Sequence, residues 1–203
     1  MDNLTNTAKK LDKVFEIAYI VFGALAIAAL VLTALIGLTY AMGWEPEFIG
    51  AGYASFEIGF LQLEVAPAYS PDKWLILGQT ALTLLIACRL FYDARRGTGY
   101  IREILKPMTE GNPFDSVVSA NLKKLAKLSI VIGILWNAIN LTEQIMCIFV
   151  YNLPELLLSE KIVHFTANFQ VDLAFLIYWA ILSLLSYVFR YGQQLQQLSD
   201  ETL

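Results

Sequence analysis

From Val14 to Trp44 the chain runs almost without charge, broken only by Glu16. A helix rising 1.5 Å per residue crosses the hydrocarbon of a bilayer with about 20 apolar residues, so this run is long enough to cross with tilt. It follows Lys9, Lys10 and Lys13 as a signal segment would, but signal peptides carry apolar stretches of only about 7–15 residues. An uncleaved first span is therefore expected. Three more runs have near-spanning length: Trp74 to about Tyr92, Leu128 to Tyr151, and Val171 to Phe189. Aromatic residues stand at their ends (Trp44, Trp74, Tyr92, Tyr151, Tyr187), where interfacial rings collect. The composition agrees: 57% hydrophobic, 16% charged, mean hydropathy +0.57. Water-soluble domains carry about a quarter charged residues, so lipid is the expected solvent for much of this surface.

Positive charge gives an orientation. Lys9, Lys10, Lys13, Arg89, Arg95, Arg96, Arg102, Lys106, Lys123, Lys124, Lys127 and Arg190 all fall on one side of a four-span arrangement. Of the 14 basic residues, that leaves Lys73 and Lys161 for the other side. The positive-inside rule makes the basic side cytoplasmic. The expected architecture is one all-α membrane domain over residues 1–203, a four-transmembrane-helix bundle in the bacterial inner membrane, with both termini cytoplasmic. Its spans are about 14–44, 74–92, 128–151 and 171–189. Outer loops cover 45–73 and 152–170, a cytoplasmic helical hairpin covers 93–127, and a cytoplasmic tail covers 190–203.

Alternation of apolar and polar residues from Phe56 to Val65 predicts a β-hairpin-like loop on the outer surface. On the cytoplasmic side Arg89 to Lys106 extends the second helix, with Pro107 as its expected limit. Gly111-Asn112-Pro113-Phe114 is a turn signal, and Asp115 or Ser116 can cap a new helix leading into the third span. Val118, Leu122 and Leu125 share one face of that helix, away from Lys123, Lys124 and Lys127. The pattern predicts an amphipathic hairpin lying on the membrane surface. Gly111, Asn112, Pro113, Phe114, Lys123 and Lys124, with Arg190, Leu195 and Leu198 of the tail, form a candidate partner-docking surface.

The third span carries Asn137, Asn140, Glu143 and Gln144 within two helical turns. Polar groups at membrane depth face the bundle interior or a wet cavity. With Gln79 of the second span and Asp172 at the start of the fourth, they make a candidate polar cavity open to the outside. Interhelical hydrogen bonding is the plainer use of the same residues.

Other chemistry is hard to find. Cys88 and Cys147 belong near opposite faces of the membrane and should not pair. His164 is the single histidine, and no spacing suggests a metal site, a catalytic pair or a phosphate loop. No enzyme, cofactor or metal is expected. A net charge of −4 gives no reason to expect direct nucleic-acid binding.

Several short motifs resemble a bacterial membrane family catalogued as domain of unknown function 2975. They are Leu63-Glu64-Val65-Ala66-Pro67, Tyr100-Ile101-Arg102-Glu103-Ile104-Leu105, Gly111-Asn112-Pro113-Phe114, Asn121-Leu122-Lys123-Lys124-Leu125, Phe189-Arg190-Tyr191-Gly192 with Leu195-Gln196, and the terminal Asp200-Glu201-Thr202-Leu203. The likeness covers most of the chain, but the polar set of the third span is not part of it. It implies a four-span inner-membrane protein, often accompanied by a small helix-turn-helix regulator of the Cro/repressor type. The leading expectation is thus a non-enzymatic regulator or sensor that binds or modulates such a regulator. The alternative is a transporter or immunity-type protein taking a small molecule or peptide from outside. The bilayer, a cytosolic helix-turn-helix regulator and a second copy of the chain are the partners to look for.

Overall fold

The structure is a computed structural model that describes residues 2–43, 54–58, 61–65, 73–146, 148 and 171–201. The span end at Tyr151, the loop 152–170 with His164, and most of loop 45–73 lie outside the described residues. The described residues hold four long helices: α1, Asp2–Met42; α2, Lys73–Thr109; α3, Ser116–Ile145; and α4, Ala174–Glu201. Each is long and apolar enough to cross a membrane. The protein is therefore read as a multi-pass membrane protein. Strands β1, Ala54–Ile58, and β2, Leu61–Val65, pair antiparallel, with Phe56 opposite Leu63 and Glu57 opposite Gln62.

The helices overrun the apolar runs that nucleate them. At 1.5 Å per residue, the 41 residues of α1 and 37 of α2 measure about 60 and 55 Å, against roughly 30 Å of hydrocarbon. Pro107 does not stop α2, which continues to Thr109. The stop comes at Gly111, whose φ of 82° favours glycine. There Asn112 N–H donates to the Pro107 carbonyl (2.9 Å) and Gly111 N–H to that of Met108 (3.4 Å), the bond pair of a Schellman end. Asp115 starts α3, accepting from Val117 N–H at 2.8 Å. Asp172 does the same for α4, accepting from Ala174 N–H at 2.8 Å.

The chain forms two compact units. The first comprises Met1–Ile27, Cys88–Asn137 and Asp172–Leu203; the second comprises Ala28–Ala87 and Ala138–Val171. All twelve basic residues that the sequence assigns to one side belong to the first unit, while Lys73 belongs to the second.

Within the first unit consecutive helices run antiparallel, as their contacts show. Between α1 and α2, Arg102 Nε meets Asp12 Oδ1 at 3.0 Å, Arg95 stacks on Tyr19 at 4.3 Å, and Cys88 Sγ lies 3.4 Å from the Ala26 carbonyl. Between α2 and α3, Asn121 Nδ2 donates to Glu103 Oε2 at 2.8 Å. Between α3 and α4, Ser186 Oγ donates to the Ser119 carbonyl at 2.9 Å. The apolar center is Ile104, Val118 and Leu122, with Met108, Leu125, Leu182 and Phe189 packed around it. Val118 and Leu122 thus bury their face against α2 and α4, where the sequence suggested a helix laid on a membrane surface. Elsewhere large apolar side chains stay exposed on several faces of one helix, as the consecutive Leu30 (55%), Val31 (51%) and Leu32 (49%) do on α1. Exposed apolar surface of this kind calls for lipid or a protein neighbor.

In the second unit Tyr40 donates its hydroxyl to the Trp74 carbonyl, and the two rings lie 4.7 Å apart.

Candidate functional site

The polar stripe of α3 has its clearest role at Asn137. Its Nδ2 donates to the Asp172 carbonyl at 2.8 Å, and its Oδ1 accepts from Asp172 N–H at 2.7 Å. The same Nδ2 also reaches the Gly133 carbonyl at 2.8 Å. One side chain thereby satisfies both backbone groups of the residue that caps α4. Gly133, one turn earlier, admits the Phe175 ring, which would overlap any Cβ there. The side-chain amide latches two helices together and has little capacity left for a ligand. Asn137 and Asp172 are the two predicted cavity residues that the first unit brings together. Gln79, Asn140 and Gln144 are half-buried in the second unit. Glu143, expected to face inward, is exposed there.

The docking residues are organised differently. Gly111 through Phe114 form the α2–α3 turn, and Phe114 folds back onto α4. Its ring lies 5.9 Å from that of Phe189, and a Cβ on Gly192 would come within 2.5 Å of it. The turn is therefore pinned to the end of α4. Beside it Asn112, Phe114, Asp115 and Ser116 face Gln193, Gln196 and Gln197 around a shallow hollow of about 210 Å³. Leu195 and Leu198, three residues apart on α4, are 50% and 60% exposed. Lys124 leans inward, with Nζ 2.9 Å from Asn121 Oδ1 and 5.2 Å from the center of the Tyr100 ring. Lys123 and Arg190 line a separate cleft between α3 and α4.

Sequence reasoning passed over the buried polar groups of the first unit. Asp93 is fully buried and held by its own helix, with Arg89 Nε at 2.7 Å and Arg96 Nη1 at 3.3 Å. The spacing of four and three residues was a visible signal, though it usually marks a solvated pair. Asn121, 1% exposed, joins Glu103 of α2 to Lys124. Arg95 fits its guanidinium against Gly23 and Tyr19, with Nε buried and without a hydrogen-bond partner.

The motifs that carry the family resemblance meet in these contacts: Tyr100–Leu105 with Asn121–Leu125, and Gly111–Phe114 with Phe189–Gly192. Among the described residues no group of three histidines, cysteines or carboxylates is placed to hold a metal ion. Compared with family models, curated protein sequences and solved structures, the chain matches none.

Proposed function

We propose that this protein is a non-enzymatic regulator of the bacterial inner membrane that holds or modulates a cytosolic helix-turn-helix transcription regulator. In this reading both termini are cytoplasmic, the α2–α3 connection is a cytoplasmic helical hairpin, and the β1–β2 pair lies on the outer surface. The observation that carries the proposal is the pinned turn. A Schellman end, an aspartate cap and the Phe114–Gly192 contact hold the loop in place before any partner arrives. A pre-ordered surface loses little conformational freedom on binding. Leu195 and Leu198 beside it supply apolar anchors at helical spacing, suited to a groove or helix on a partner. The gathering of twelve cations in the first unit supports the cytoplasmic assignment. The family resemblance supports the kind of partner.

The test is purification of the tagged protein from native membranes in mild detergent, alongside Leu195→Asp/Leu198→Asp. The unaltered protein should bring down a helix-turn-helix regulator and the double variant should not, with elution volumes unchanged. Absence of such a protein, with transcription unaffected by deleting the membrane protein, overturns the reading.

A further inference from the structure

The cleft between α3 and α4 has a composition that the docking proposal does not use. It encloses about 530 Å³ within the first unit and is lined by Ser119, Lys123, Ala126 and Lys127 of α3 and by Trp179, Ser183, Ser186, Tyr187 and Arg190 of α4, with Ala120 at its edge. Three cations and four hydroxyls therefore converge on one space. Lys123, Lys127 and Arg190 are all exposed, and among the described residues no carboxylate pairs with any of them. Most other cations of this unit are engaged: Arg89 and Arg96 by Asp93, Arg102 by Asp12 and Glu16, Arg95 by Tyr19, and Lys124 by Asn121. The Ser119 and Ser186 hydroxyls donate to the Ser116 and Ser119 carbonyls, which leaves Ser183 and Tyr187 as hydroxyl donors beside a local positive field that suits a phosphate.

The cleft also has the polarity of an amphiphile. Ser119 bonds to Ser186, which sets the antiparallel register and puts Trp179 and Lys127 at one end and Arg190 at the other. Beyond the Trp179 end the same two helices expose Val131, Ile134, Leu176 and Ile177, a surface for acyl chains. A free phosphate would have no use for that surface.

We infer that this cleft binds the phosphate headgroup of an anionic phospholipid, with its acyl chains running past Trp179 along α3 and α4. Ser183 and Tyr187 donate to the phosphate oxygens, and Lys123, Lys127 and Arg190 neutralise them. The inference rests on the membrane reading alone and not on the regulator or the orientation. It also assigns Lys123 and Arg190 to lipid, leaving protein docking to the turn and the end of α4.

Native mass spectrometry of the detergent-purified full chain tests it, with dioleoylphosphatidylglycerol, dioleoylphosphatidylcholine and inorganic phosphate as separate probes. Phosphatidylglycerol adducts should survive activation that strips phosphatidylcholine. Lys123→Gln/Lys127→Gln/Arg190→Gln should weaken phosphatidylglycerol binding about a hundredfold, at roughly a factor of five per interfacial cation. Lys9→Gln/Lys10→Gln/Lys13→Gln removes as much charge elsewhere and should leave it unchanged. Equal loss in both triple variants, equal retention of the two lipids, or competition by millimolar phosphate would overturn the proposal. As a check that needs no variant, a diazirine-bearing phosphatidylglycerol should label peptides within 119–134 and 176–190. Labeling spread evenly over all four helices counts against the site.

Discussion

Asp93 shows how a charge can sit inside a helical membrane protein at modest cost. Its carboxylate is fully buried, while the arginines that hold it keep 55% and 44% of their side chains exposed. The arginines stay partly exposed and the aspartate is compensated from its own helix. Removing both partners leaves a buried charge alone, which is the expensive direction. Arg89→Ala/Arg96→Ala should therefore lose about 2–3 kcal/mol in a detergent melt, with each single change costing much less because one partner remains. Additive small losses would show that the pair is not what holds Asp93. The spacing of these residues was legible in the sequence. Their burial was not, because zero exposure is a property of the assembled helices. Asn137 is a parallel case. Its place on a polar stripe could be read directly, but its partner lies 35 residues away on the backbone of Asp172.

At the scale of the element, the apolar cores of the helices were legible and their ends were not. Each core follows from a run long enough to cross lipid. The ends depend on what packs beside them: Ile104, Val118 and Leu122 carry α2 and α3 past their apolar runs as one packed continuation. Pro107 misled because proline removes one hydrogen bond, whereas the local backbone and Gly111 decide where the helix closes. The α3–α4 contact gives a second prediction. Gly133→Ala places a methyl group in the Phe175 ring and should destabilise the protein by about 1–3 kcal/mol, the usual range for overpacking. Adding Phe175→Ala should recover part of that loss beyond additivity, and a thermal-melt double-mutant cycle would measure it. Asn137→Ala should cost about 1–3 kcal/mol by leaving two backbone groups of Asp172 without their partner.

For the whole molecule, the separation of charge was the most legible feature, since it needs only the positions of 14 residues. It leads to a labeling prediction in a Cys88→Ala/Cys147→Ala background. A cysteine at Asn112 should react with an impermeant maleimide only when the cytoplasmic side is opened, and one at Glu160 should react in intact cells. The reverse pattern would invert the topology. The lengths of the helices bear on how such a molecule rides in its membrane. With 41, 37, 30 and 28 residues they measure about 60, 55, 45 and 42 Å, so each overshoots the hydrocarbon. Each therefore has length in hand, and none must break to meet a thicker or thinner bilayer. Depth is then a balance between aromatic belts and snorkelling cations, so the protein can float higher or lower as its host membrane changes without rearranging its fold.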